Sequence, residues 1–163
     1  TVCLKEGETK LMAILGFTLM AMMIFLLDLW IKNYIERSRK EGEETEVCGG
    51  RLLIRRYHNK GAMLDAGERK SGLVAALSLA LTLGLTVLFV LTFSCKGSKT
   101  LKAGLALLLG GAYSNTYDRL VRKYVVDYVS FPVKNQKIRN IVFNISDFCI
   151  MIGALLMVLG SEK

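Results

Sequence analysis

The sequence predicts a mainly α-helical membrane protein: four transmembrane helices in one integral membrane domain, 1–163, with a small β-sheet after the first helix. Three observations predict it. The chain of 163 residues is 52% hydrophobic, with a mean hydropathy of +0.39, too apolar for an average soluble domain. The apolar residues fall in blocks at 11–31, 72–95, 101–117 and 141–160, each near the ~20 residues that cross a bilayer. The single proline, Pro132, lies outside all of these blocks, which is consistent with uninterrupted helices.

Residues 1–10 form a polar tail. The block 11–31 runs too long for a cleaved signal sequence and ends in DLWIKNY rather than at small residues, so it reads as a permanent helix. Trp30 and Tyr34 read as interfacial aromatics at its end. Residues 38–50 are charged and punctuated by glycine, and are expected to be loop. The stretch RLLIRRYHNKGAM, 51–63, alternates enough for a short strand or two, turning near Asn59–Gly61. The second helix runs to Cys95, and the basic link KGSKTLK leads to the third. Lys102, near the start of that third span, reaches the interface by snorkelling. A polar connection over 120–140 carries Asp127 and Pro132, and the fourth helix closes the chain. Four spans put both termini on one side.

The net charge of +8 would suggest nucleic acid in a soluble protein. Here basic residues flank membrane helices and meet anionic headgroups, so membrane lipids are the expected partners and nucleic acid is not. Charge leaves the orientation open. The link KGSKTLK favours the cytoplasm, but the loops after the first and third helices hold more Lys and Arg in total. Cys3, Cys48, Cys95 and Cys149 are scattered without a CxxC or a Cys/His cluster, so neither a metal site nor a disulfide is expected. His58 is the only histidine, and no nucleophile elbow accompanies it.

The informative residues are polar ones at the ends of apolar spans. Asp28 and Lys32 are four apart, acid first, the favourable order for a helical ion pair. They either anchor a helix end or serve a site. Asn115 and Asp118 share a helix face three residues apart, with Arg119 beside them, and solvation of a helix end is the plain alternative. Asn144 and Asp147 repeat that spacing at the start of the fourth helix. A first-turn aspartate gains typically 0.3–1 kcal/mol from the helix dipole, less than the roughly 2.5–3.5 kcal/mol of mid-membrane insertion. Asp127 stands among apolar neighbours in YVVDYV.

Together these residues spell a pattern. DLWIK supplies D-x-x-x-K, NKGA (Asn59, Gly61, Ala62) supplies N-x-G-A, and NTYDR supplies N-x-x-D-R. VVD ends on Asp127, and FNISD gives Phe143, Asn144 and Asp147. The chain resembles signal peptidase II, the bacterial prolipoprotein signal peptidase, over nearly its whole length. It departs at Ser114, where glycine is usual, and at Ser146, where alanine is usual. It departs again at Met63, where a small residue is common, and in the approach RNIVFN.

The resemblance implies a membrane aspartic endopeptidase that cuts diacylglyceryl-modified prolipoproteins before the lipidated cysteine. It implies a catalytic pair, Asp127 and Asp147, without metal or cofactor. Asn59, Gly61, Asn115, Arg119 and Asn144 would then orient substrate or the pair, and Asp28, Lys32 and Asp118 would brace the site. It also implies a bacterial cytoplasmic-membrane location, with both termini cytoplasmic, the site and a small sheet near the extracytoplasmic surface, and a monomer. Two carboxylates about 4 Å apart repel by roughly 4 kcal/mol at an effective dielectric of 20. One therefore holds a proton while the other ionises, which supplies an acid and a base together. A proton-coupled transporter would place similar residues in broken helices with repeated halves, and neither is visible. A non-catalytic scaffold on the same fold is the other alternative, and retention of both aspartates argues against it.

Overall fold

The computed structural model describes residues 2–61, 71–94 and 98–161. In chain order the elements are α1 (Val2–Ser38), β1 (Glu44–Val47), β2 (Leu52–Asn59) and α2 (Ser71–Thr92). They continue with α3 (Lys99–Val121), β3 (Val125–Ser130), α4 (Gln136–Arg139) and α5 (Ile145–Ser161). The strands form one antiparallel sheet in the order β1-β2-β3. Ala62, Met63 and the expected end of the second span at Cys95 lie outside the described residues.

Each of the four apolar blocks contributes a long helix, with corrected boundaries. α1 runs past 31 to Ser38, so Asp28 and Lys32 stand inside a helix rather than at its end. Residues 141–144 precede α5 in extended backbone, where Phe143 pairs with Val129 beside the sheet. α1 and α2 each hold a window long and apolar enough to cross a membrane, and α5 is apolar but shorter, at 17 residues. Their outward faces carry large exposed apolar side chains, among them Leu19 and Met23 on α1, Leu81 and Val90 on α2, and Leu155 and Val158 on α5.

Two strands correct the sequence reading. β1 lies within 38–50, expected to be loop; its residues ETEV are mostly exposed and show no apolar alternation, since pairing with β2 alone holds this edge. β3 lies in the connection expected to be polar, and nearly all of VVDYVS is buried. The sheet is therefore not confined to the chain after the first helix. Its third strand arrives after α3 and pairs Tyr57 with Asp127 and Asn59 with Val125. Over 51–61, the described part of the stretch expected to form a short strand or two, there is one strand, β2.

α3 is the central helix, packed against α1, α2 and most extensively α5. Glycines permit this. Gly104 and Gly153 approach so closely that a Cβ on either would stand 2.7 or 2.6 Å from the other's carbonyl oxygen. Gly111 meets the Ser146 carbonyl, and Gly160 meets the backbone of Leu101. On α5 the close positions, Ser146, Gly153 and Gly160, recur every seven residues, so they stay on one side of the helix. At the other end of the pair, the N-cap Ser98 Oγ accepts from Leu101 N and donates to the Gly160 carbonyl. Phe89, Leu105, Ala106 and Leu109 form a buried cluster among α1, α2 and α3, and Ile35, Val126 and Tyr128 form a second under the sheet. Gly153→Val is expected to force α3 and α5 apart and to cost at least about 1–3 kcal/mol. A lower unfolding temperature in detergent checks it; an unchanged one would mean the helices separate without penalty.

Candidate active site

The site lies where the sheet meets the ends of α3 and α5. Asp127 is on β3 and 2% exposed, and Asp147 is in the first turn of α5. Both line a cavity of about 480 Å³. Asn59, Asn115 and Arg119 add polar groups to its wall, and Ile141, Val142, Phe143, Ile150 and Met151 supply an apolar side.

α5 begins with a reciprocal cap. Asn144 Oδ1 accepts from the Asp147 backbone N at 2.9 Å, while Asp147 Oδ2 accepts from the Asn144 backbone N at 3.0 Å. This is capping-box logic with an aspartate as the third helical residue, and it fixes the Asp147 carboxylate to the backbone. The spacing visible in FNISD is therefore first a helix start.

Every carboxylate oxygen of the two aspartates receives one N–H. Asp127 Oδ1 accepts from Asn144 Nδ2 at 2.6 Å and Oδ2 from Asn59 Nδ2 at 3.0 Å. Asp147 Oδ1 accepts from Asn115 Nδ2 at 2.9 Å, and its Oδ2 has the Asn144 N–H already named. The three amides cannot turn round, because each oxygen is held by a group that only donates. Lys32 Nζ donates to Asn115 Oδ1 at 2.9 Å. The Asp147 N–H holds Asn144 Oδ1, and the Gly61 N–H donates to Asn59 Oδ1 at 3.1 Å. Asn144 Nδ2 also reaches Asn115 Oδ1 at 3.2 Å, so one amide touches both halves of the site.

Beneath this layer is a buried ionic cluster. Lys32 Nζ lies 2.8 Å from Asp28 Oδ2, 3.0 Å from Asp118 Oδ2 and 3.0 Å from Ser114 Oγ, and all four side chains have no solvent exposure. Asp118 Oδ2 also accepts from the backbone N of Val126, next to Asp127. Arg119 Nη1 donates to the Asn115 carbonyl at 3.3 Å, and its buried Nε has no partner among the described residues. Burial, and after it the charge of Asp147, push the Asp127 carboxyl up to about 7.

The structure thus gathers Asp28, Lys32, Asn59, Gly61, Asn115, Asp118, Arg119, Asp127, Asn144 and Asp147 around one cavity and its floor. Sequence reasoning missed the hydroxyls of Tyr128, Ser114 and Ser146, which face Asp28. Polar residues inside or beside apolar runs, each next to a site residue, were the available signal. His58, for which the sequence shows no recognisable acidic partner, lies with Nε2 2.6 Å from Glu36 Oε1 and stacks on Tyr124. Among the described residues no group of three or more His, Cys, Asp or Glu side chains is placed to hold a metal.

The family model described as signal peptidase (SPase) II matches residues 20–162. The chain belongs to the signal peptidase II family. A lipoprotein signal peptidase of Alteromonas mediterranea is 31% identical over 91% of this chain and 81% of its own length. One from Cupriavidus necator is 32% identical over 88% and 81%, and one from Halalkalibacterium halodurans 28% over 86% and 89%. A solved bacterial membrane enzyme, determined by the in meso method at 1.9 Å resolution, superposes with a TM-score of 0.75 at 24% identity. That likeness covers 91% of this chain and 93% of the solved one, and it bears on the fold. The family is that of the resemblance carried by the five short motifs.

Proposed function

We propose that this chain is a membrane aspartic endopeptidase that removes the signal peptide from diacylglyceryl-modified prolipoproteins, with Asp127 and Asp147 as its catalytic pair. The observation that carries the reading is the pair of carboxylates in one cavity, each oxygen already holding one N–H donor. Each oxygen keeps a further lone pair for a water or a shared proton. The ionised member deprotonates a water held between the two. That water attacks the carbonyl before the lipidated cysteine, and the protonated member donates a hydrogen bond to the developing oxyanion. The proton then passes to the departing amine. The unpartnered Nε of Arg119 supplies an N–H to a substrate carbonyl at the cavity wall. The apolar side formed by Phe143, Ile150 and Met151 suits acyl chains or the apolar part of a signal peptide.

In this reading all four long helices cross the bacterial cytoplasmic membrane, with both termini cytoplasmic. The sheet and cavity lie at the extracytoplasmic surface, and the chain acts as a monomer. The interfacial depth suits a substrate whose lipid anchor holds the scissile bond at the headgroups. The deciding experiment compares one prolipoprotein with and without its diacylglyceryl group as a substrate for the purified protein in lipid nanodiscs. Cleavage of the lipidated form before its cysteine is expected; equal cleavage of both forms would overturn the substrate assignment.

The pair also sets a pH dependence. Activity needs one proton on the two carboxylates, and that proton is lost as pH rises through about 7. kcat/KM is expected to fall about tenfold per pH unit on the alkaline side of that value. A rate still rising at pH 9 would contradict a protonated member. Stability follows the same sign. A carboxyl raised above its unfolded value of 3.8 contributes fully below that pH, and its contribution is lost as pH rises through about 7. The parent should therefore lose stability between pH 4 and 8 relative to Asp127→Asn, which lacks this titration.

A further inference from the structure

Three buried hydroxyls stand one residue from groups of the proposed site. Ser114 precedes Asn115, Tyr128 follows Asp127, and Ser146 precedes Asp147. They belong to α3, β3 and α5, and all three converge on Asp28 of α1. Ser114 Oγ donates to Asp28 Oδ2 at 2.6 Å and Ser146 Oγ to the same oxygen at 2.5 Å. The Tyr128 hydroxyl donates to Oδ1 at 2.7 Å and accepts from the backbone N of Ile145, the first residue of α5, at 3.1 Å. Ser114, Ser146 and Asp28 have no exposure, and Tyr128 has 3%.

Lys32 already gives Asp28 its counter-charge, so neutralisation does not require the hydroxyls. What they add is position. Apolar packing between membrane helices has little directional preference, whereas hydrogen bonds to a carboxylate are short and directional. One carboxylate bonded to three elements fixes those elements relative to one point. The residues adjacent to the three contacts are Asn115, Asp127 and Asp147. Reacting groups must be held to within about 0.5 Å, which loose helix packing does not guarantee.

We propose that Ser114, Tyr128 and Ser146 are positioning residues of the reaction, which act through Asp28 to fix Asp127, Asp147 and Asn115 relative to one another. The proposal rests on the assignment of Asp127 and Asp147 as the catalytic pair. In it Asp28 is a common anchor for three elements, in addition to its ion pair with Lys32. None of the three residues lines the cavity that holds Asp127 and Asp147, so their loss lowers turnover and leaves substrate binding in place.

The test measures kcat and KM on a diacylglyceryl-modified lipopeptide for Ser114→Ala/Ser146→Ala and for Tyr128→Phe, each in the parent and in Asp28→Asn. Asp127→Asn runs beside them, and unfolding in detergent is recorded for all. Each hydroxyl loss is expected to lower kcat about tenfold in the parent, with KM changed by less than about twofold. In Asp28→Asn the same changes should lower kcat by less than about twofold, because the shared partner has already been altered. An unchanged kcat in the parent overturns the proposal, as does a rise in KM that accounts for the whole loss. Equal losses in the parent and in Asp28→Asn overturn it too. Tyr128→Phe removes one oxygen and carries the decision if the double serine variant does not fold. Should Asp127→Asn retain activity, the catalytic assignment fails instead, and the hydroxyl variants will have been measured independently of it.

Discussion

Asp127→Asn and Asp147→Asn are each expected to lower the cleavage rate by about 10³-fold or more while leaving a folded protein. General acid–base work by one positioned group accounts for about 10²–10⁴. In the proposed mechanism the two carboxylates share one proton, so losing either removes the base and the acid as a unit. The substitutions are close to isosteric, and their structural cost can be stated. Asp127 accepts Asn144 Nδ2 on one oxygen and Asn59 Nδ2 on the other. An asparagine keeps one acceptor and turns an N–H toward the other donor. The same holds for Asp147 between Asn115 Nδ2 and the Asn144 backbone N. One misdirected amide costs about 1–3 kcal/mol, enough to lower the unfolding temperature and not enough to explain a lost activity. Single-turnover cleavage of a diacylglyceryl-modified prolipoprotein, with unfolding followed in parallel, separates the two effects. Full activity in either variant would refute the pair.

The largest effect on stability is expected from Lys32→Met. Its ammonium is fully buried and stands within 3.0 Å of carboxylate oxygens from both Asp28 and Asp118. Replacing a whole buried ionic cluster by apolar side chains is often neutral, but removing one partner leaves charge without compensation. Lys32→Met leaves two carboxylates, with Arg122 Nε, 3.3 Å from Asp118 Oδ1, as a cation that remains. The expected cost is about 3–5 kcal/mol. Activity should fall as well, since Lys32 holds the Asn115 amide that donates to Asp147. Adding Asp28→Asn to Lys32→Met should recover part of the lost stability, because it removes one of the stranded charges. The parent's unfolding temperature surviving in Lys32→Met would show that the cluster is not held as an ion pair.

Residues that belong to one local element were legible before any coordinates. The Asp28–Lys32 spacing becomes a 2.8 Å ion pair within α1, and Asn144 and Asp147 become a helix cap, because a helical turn brings residues three and four apart together. The sheet was harder to read. β1 is a charged edge strand without alternation, and β3 is a short apolar run that periodicity cannot tell from other buried chain. The hydroxyls of Ser114, Tyr128 and Ser146 were illegible as a set, because their common partner, Asp28, is at least 86 positions away.

The sequence by itself determined four long helices, the polar residues that interrupt them and the family those residues spell. Hydrophobic runs and short motifs are local, and the chain states them directly. Tertiary structure decided how α3 comes to lie at the centre, which glycines let α5 close on it, and that β3 carries Asp127 to the start of α5. It also decided which way the Asn115 amide faces and brought the Asn59 and Asn144 amides onto Asp127. Asn59 and Asn144 are turned by N–H groups two and three residues along the chain and Asn115 by Lys32 of α1, which aims three of the four N–H groups at the two aspartates; the fourth is the Asn144 backbone N–H. Contacts between elements decide where these amides meet the two carboxylates, and no spacing along the chain encodes that.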